Sequence, residues 1–79
     1  MSRHRVLVYV KPGCHLCDDA CAVVAKVCAE LGVGWETQDI LDDDALVQQW
    51  GEYVPVVLVD GQVHDWFRVQ DARLRAALG

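Results

Sequence analysis

No stretch of this sequence stays apolar for anything near the ~20 residues that a helix needs to cross a bilayer. The opening, Met1-Ser2-Arg3-His4-Arg5, is basic, as a signal peptide begins. Only Val6-Leu7-Val8-Tyr9-Val10 follows before Lys11-Pro12, short of the roughly 7–15-residue apolar region such a peptide requires. The expectation is an unprocessed cytoplasmic protein without a membrane partner. Positive charge is also scarce: 7 Lys and Arg face 12 Asp and Glu, for a net charge of −5. Nucleic-acid binding rests on neutralising phosphates with Lys and Arg, so no nucleic-acid partner is expected. There is no internal repeat, linker or low-complexity segment. With 79 residues the chain makes one domain, 1–79, of ordinary globular composition. A chain of this size buries only about 60% of its unfolded surface.

Four cysteines, Cys14, Cys17, Cys21 and Cys28, are confined to a short stretch. Bridges there would close only short loops and leave the C-terminal part unstapled, which excludes the disulfide framework of a secreted mini-protein. No second Cys-x-x-Cys or histidine pair completes a tetrahedral site elsewhere. On a continuous helix Cys17 and Cys28 stand about 16 Å apart at 1.5 Å per residue, too far for one zinc ion with bonds near ~2.3 Å. No metal site is expected.

The apolar, β-rich run at residues 6–10 predicts a buried strand, β1, broken by Lys11-Pro12-Gly13. From about His15 the pattern turns helical. Leu16, Cys17, Ala20, Cys21, Val23, Val24, Val27, Cys28 and Leu31 share one broad arc, with Asp18 and Asp19 in the first turn and Gly32 as the stop. This is α1. Alternation at residues 33–38 predicts β2, parallel to β1 through a right-handed crossover. Asp42 or Asp43 caps a short α2 through Ala45, Leu46, Val47 and Trp50, closed by Gly51. Residues 56–59 predict β3, Asp60-Gly61 a two-residue hairpin turn, residues 62–67 an antiparallel β4 and residues 69–78 a final helix, α3. The order is β1-α1-β2-α2-β3-β4-α3.

A thiolate is the nucleophile of thiol–disulfide exchange, and Cys14 stands where one is favoured. At a helix N-terminus, unpaired backbone N–H groups and the positive end of the dipole attract an anion. Lys11 supplies a cationic neighbour, and His15 another when protonated. Cys17, one turn inward, is spaced to attack a mixed disulfide at Cys14. Cys21 and Cys28 lie within the apolar arc, where free cysteine packs as a small hydrophobe. A cysteine protease needs a histidine base beside its thiol, and His15, on the same turn, is poorly placed for that role. His4 and His64 have no sequence-adjacent partner and read as structural or solvated, and Trp35, Trp50 and Trp66 as core or rim aromatics.

From about Val6 to Leu78 these features resemble a glutaredoxin. They are a strand, Lys11-Pro12-Gly13-Cys14-His15-Leu16-Cys17, a helix, a strand, a helix, Val54-Pro55, a hairpin and a last helix. The likeness is nearest to small bacterial glutaredoxin-like proteins with a Cys-x-x-Cys-Asp opening. The resemblance implies the minimal thioredoxin fold, an α/β architecture whose four-stranded mixed sheet has order 2-1-3-4 and helices on both faces. It implies a thiol–disulfide oxidoreductase in which Cys14 is the nucleophile and Cys17 the resolving cysteine. Lys11 would contact a carboxylate of glutathione. Pro55 would be cis and face the dithiol, and Val54 would offer its backbone to an extended peptide or to glutathione. No cofactor would be tightly bound. Substrates would be disulfide-containing proteins or small thiols, the reductant glutathione, another low-molecular-weight thiol or a flavoprotein, and the working state a monomer. The alternatives are a dimer bridging an iron–sulfur cluster through Cys14, and a redox-inert interaction module of the same fold. The chain departs from the family pattern in having His15-Leu16 for Pro-Tyr and His64-Asp65-Trp66-Phe67-Arg68-Val69-Gln70-Asp71 where a Gly-Gly turn and an aspartate pair hold glutathione's γ-glutamyl end. Asp71 is a loose match.

Overall fold

The first strand, β1 (Arg5–Val10), is apolar from Val6 to Val10 and lies inside a sheet with a strand on either side. A computed structural model describes residues 4–79; residues 1–3 of the basic opening lie outside the described residues. The other elements are α1 (His15–Leu31), β2 (Gly34–Asp39), a short 3₁₀ turn (Ile40–Asp42), α2 (Asp44–Trp50), β3 (Val56–Val59), β4 (Gln62–Trp66) and α3 (Asp71–Leu78). The sheet order is β2-β1-β3-β4. β1 runs parallel to β2 and antiparallel to β3, and β3 is antiparallel to β4. Element order and sheet order are those of the thioredoxin-like fold expected from the sequence.

Alternation along β1 separates two packing layers. Val6 and Val8 point to one face, where they meet Val24, Val27 and Cys28 of α1, Val57 of β3, and Leu74 and Leu78 of α3. Burying each such side chain contributes about 1.5–3 kcal/mol. Tyr9 points to the other face and meets the ring of Trp50 from α2, with centroids 6.5 Å apart. On this second face Val56 and Leu58 of β3 are buried, but Leu7 and Tyr9 of β1 are only partly so and α2 has no buried residue, so β1 is less enclosed there than its continuous apolar run suggests.

The helix and turn boundaries follow from local chemistry. Gly32 ends α1 with φ 68°, a left-handed conformation that a glycine adopts without a Cβ clash, and its N–H returns to the Cys28 carbonyl. Asp60 and Gly61 both have positive φ, 54° and 83°, as a tight hairpin turn with matching twist requires. The acidic run from Asp39 to Asp44 is a pair of successive caps. The Asp39 carboxylate accepts the Leu41 N–H and the Asp43 carboxylate accepts the Ala45 N–H, each at 2.9 Å.

Several boundaries differ from expectation: β1 begins one residue early, at Arg5, and β2 runs one residue later than expected, Gly34–Asp39. The 3₁₀ turn between β2 and α2 has no periodicity of its own to betray it. β4 stops at Trp66, one residue before the expected end, because Phe67 takes φ 62° and turns the chain out of the sheet. α3 begins at Asp71 and not Val69, since Gln70 remains extended with φ −95° and ψ 127°. Asp18 alone supplies the acid of α1's first turn; Asp19 lies just beyond it.

Candidate active site

The turn after β1 delivers Cys14 to the N-cap of α1. Its φ of −97° and ψ of 109° keep it extended, and its Sγ takes the capping role of a Ser or Asp oxygen, accepting the backbone N–H of Cys17 at 3.2 Å. The Cys14 carbonyl accepts the Asp18 N–H at 3.3 Å and so starts the helix. An N–H aimed at sulfur in this way is a stronger partner for a thiolate than for a thiol. Gly13, with φ 74°, makes the reversal that sets Cys14 there.

Cys17, one turn inward, is 3% exposed and packs with Ile40 and Val54, while Tyr9, Val10, Cys14 and Leu46 pack around that cluster. Burial is the main reason its thiol is pushed up to about 12; the hydrogen bond with Cys14 and electrostatic coupling to the Cys14 and Cys21 thiols push the same way, against the Lys11 backbone. The two cysteines therefore differ by position: one is at the mouth, the other is sealed and protonated.

A cavity of about 250 Å³ opens beside them, bounded among others by Lys11, Cys14, Cys17, Cys21, Thr37 and Asp39. Cys21 is half-buried there and also packs on the main core. Its thiol is raised by burial, then by Asp18 and Cys14. As i and i+4 neighbours on a helix, Cys17 and Cys21 have Cβ atoms about 5–6 Å apart, beyond the ~3.5–4.5 Å of a disulfide. Cys28 is buried in the core, as expected. Among the described residues no three His, Cys, Asp or Glu side chains converge as a metal would require.

The remaining site candidates divide. The Val54–Pro55 bond is cis, as the resemblance implies, and Val54 packs with Cys17. The Pro55 carbonyl accepts the Phe67 N–H at 2.9 Å, tying this segment to the loop after β4. His15 is exposed on the first turn of α1 and does not line the dithiol cavity. Lys11 lines the cavity but donates its Nζ to the Gly51 carbonyl at 3.2 Å. Asp71, the loose match to a glutathione-binding aspartate, pairs with Arg75 and, at 3.9 Å, with Lys26. His4 stands 2.6 Å from the Asp60 carboxylate, across the sheet end from the dithiol helix.

A second cavity, of about 350 Å³, lies between the N-terminal half of α1 and the loop after β4. Leu16, Ala20 and Val23 form one wall and Phe67, Arg68 and Val69 the other, with Asp19 at the rim. Periodicity does not reveal this cavity. Its one signal in the sequence is an aromatic pair, Trp66-Phe67, where a glutaredoxin has glycines.

The glutaredoxin-like domain family model (DUF836) matches residues 5–79. The chain belongs to that family. An uncharacterised protein of Mycobacterium tuberculosis is 33% identical over 81 residues, spanning 96% of this chain and 84% of its own. A structural-genomics target protein from X. campestris is 36% identical over 92% of this chain and 93% of that one, with a TM-score of 0.75. At lower identity only the fold is shared. Protein Ne2328 of Nitrosomonas europaea matches at 20% identity with TM-score 0.86, covering 100% of this chain and 95% of that one. Fasciola hepatica thioredoxin matches at 18% with TM-score 0.68, covering 98% and 79%. A glutaredoxin-like family and a thioredoxin fold support a redox-type function, and Cys14 and Cys17 lie near one another.

Proposed function

We propose that this protein is a cytoplasmic dithiol–disulfide oxidoreductase acting on disulfide-containing proteins or small-thiol mixed disulfides. The observation that carries this reading is the asymmetry of the dithiol. Cys14 Sγ sits at a helix N-cap on the Cys17 N–H, whereas Cys17 is buried and protonated. Lys11 lies beside the pair, His15 is exposed next to it, and Val54 packs against Cys17, ahead of Pro55.

In the first step the Cys14 thiolate attacks one sulfur of a substrate disulfide. A Cys14–substrate disulfide forms, the substrate S–S bond breaks, and the other sulfur leaves as a thiolate. Cys17 then attacks Cys14 Sγ. The mixed disulfide breaks, a Cys14–Cys17 disulfide forms, and the Cys17 proton goes to the departing substrate thiolate. Two electrons have passed from the protein dithiol to the substrate. Two influences that hold the Cys17 proton in place, the hydrogen bond with Cys14 and the negative charge there, vanish once Cys14 is capped. Burial, the larger influence, remains, so this loss eases but does not remove the hold on the Cys17 proton. Two molecules of a low-molecular-weight thiol such as glutathione, leaving as their own disulfide, or one reduced flavoprotein, return two electrons and two protons to the Cys14–Cys17 disulfide.

The test is turnover of hydroxyethyl disulfide with dithiothreitol as reductant. Cys14→Ser lowers the rate to the uncatalysed background, while Cys17→Ser accumulates a mixed disulfide at Cys14 that mass spectrometry detects. Full activity in Cys14→Ser would overturn the assignment.

A further inference from the structure

The second cavity is unused by the dithiol chemistry, and its far wall carries a conformational anomaly. Phe67 has φ 62°, a region that a bulky L-residue rarely enters and that glycine occupies freely. The conformation is fixed by its surroundings. The Trp66 N–H is accepted by the Asp65 carboxylate at 3.1 Å, the Phe67 N–H by the Pro55 carbonyl at 2.9 Å and the Arg68 N–H by the Trp66 carbonyl at 2.8 Å. Packing does not account for the aromatic ring, because Phe67 is 46% exposed and its neighbour Trp66 is 50% exposed. Non-glycine residues held at positive φ carry backbone strain and recur at active sites and ligand clamps. An exposed phenylalanine at a position suited to glycine thus indicates something that covers it.

The cavity's place says what that is. Leu16, on its near wall, is two residues from Cys14, and Phe67 is hydrogen-bonded to Pro55, the residue after Val54. An extended chain whose cysteine meets Cys14 advances about 3.3 Å per residue, and alternate side chains share a face. Leu16 rises from the same first turn of α1 as Cys17, so a side chain about two positions from a cysteine held at Cys14 would be the one within reach of Leu16 and Phe67. The walls are Leu16, Ala20, Val23, Phe67 and Val69, so the complementary side chain is large and apolar. Asp19 and Arg68, neither with a side-chain ion pair among the described residues, lie at the rim where the peptide's own amide groups would pass. The two positions that the glutaredoxin resemblance assigns to glutathione are already engaged, Lys11 with Gly51 and Asp71 with Arg75 and Lys26.

Resting on the oxidoreductase reading above, we infer that the cavity between α1 and the Phe67 loop is a selectivity pocket for a polypeptide substrate, taking a large apolar side chain two residues from the substrate cysteine.

The experiment compares activated mixed disulfides of short peptides carrying Leu or Ser two positions from the cysteine, on either side, with the glutathione mixed disulfide. Hydroxyethyl disulfide, too small to reach the pocket, serves as the control for the wild-type protein. An apolar pocket that discriminates by a few carbon atoms gives at least about tenfold preference in kcat/KM. The wild type is expected to favour a Leu peptide over its Ser counterpart by that factor, and over the glutathione adduct. Phe67→Gly suits the backbone conformation and is expected to bring the Leu-to-Ser ratio near unity, whereas Phe67→Tyr keeps it. Equal rates for the peptides with active wild type, a preference that survives Phe67→Gly, or a preference for the glutathione adduct would each overturn the pocket and leave the oxidoreductase reading standing. Failure of the wild type on hydroxyethyl disulfide would overturn both.

Discussion

Two thiols three residues apart are made unequal by one turn of helix. Cys14 caps that helix at the mouth of a cavity; Cys17, facing inward, lies among Ile40 and Val54. Because the Cys17 thiol is pushed up to about 12, chiefly by burial, it is protonated across the physiological range. Iodoacetamide at pH 8 is therefore expected to label Cys14 well before Cys17. Cys17 labelling should grow only as pH climbs toward that value or as the chain is unfolded. Peptide mapping of briefly labelled protein checks this, and equal labelling of the two would contradict it. The same scale explains why sequence pattern was incomplete at Cys21. Its place in the apolar arc accounts for its contact with the core, but an arc has edges, and Cys21 lies on the edge that also borders the dithiol cavity.

At the scale of elements, α1 does two jobs along its length. Its N-terminus builds the site, and its later turns hold α3 through Glu30–Arg75 and Lys26–Asp71 pairs, while Arg75 also returns to Asp71 within α3. The Asp71 carboxyl is held below the usual carboxylate range, mainly by its hydrogen bond to Arg75. A lowered folded value means that this stabilisation is present above the unfolded carboxyl value of about 3.9 and is lost as pH falls through the folded one. Asp71→Asn is accordingly expected to be less stable than wild type at neutral pH. The gap should narrow as pH drops below about 4 and also shrink with added salt. Urea unfolding at several pH values measures it, and a gap that widens in acid would contradict the pairing. These elements were legible in unequal degree. α1 announced itself by a long apolar arc ending in glycine, and the hairpin by Asp60-Gly61. The 3₁₀ turn and the start of α3 were not, because each is set by a cap or a single extended residue and not by a repeating pattern.

For the whole molecule, the sheet order and the dithiol's position are one fact seen twice. β1, parallel to β2 and antiparallel to β3, ends beside the Val54–Pro55 segment that leads into β3, so Cys14, Cys17 and Val54 converge at one end of the sheet. Among the described residues no helix is long and apolar enough to cross a membrane. The candidate dithiol could be read from the sequence because it depends on local spacing: Cys14, Cys17 and the helix start are contiguous. The second cavity could not, since it joins residues from α1 to Phe67, Arg68 and Val69, half a chain away. Its character depends on one backbone dihedral that composition does not disclose.

The central claim, a reversible Cys14–Cys17 dithiol, is tested most directly by equilibrating the protein in dithiothreitol buffers of graded redox potential. Each sample is acid-quenched and its thiols mapped by mass spectrometry. A single two-electron transition, with loss of two hydrogen atoms and a link between Cys14 and Cys17 while Cys21 and Cys28 stay free, is the predicted result. Cys14 and Cys17 remaining unlinked thiols at every potential would contradict the account.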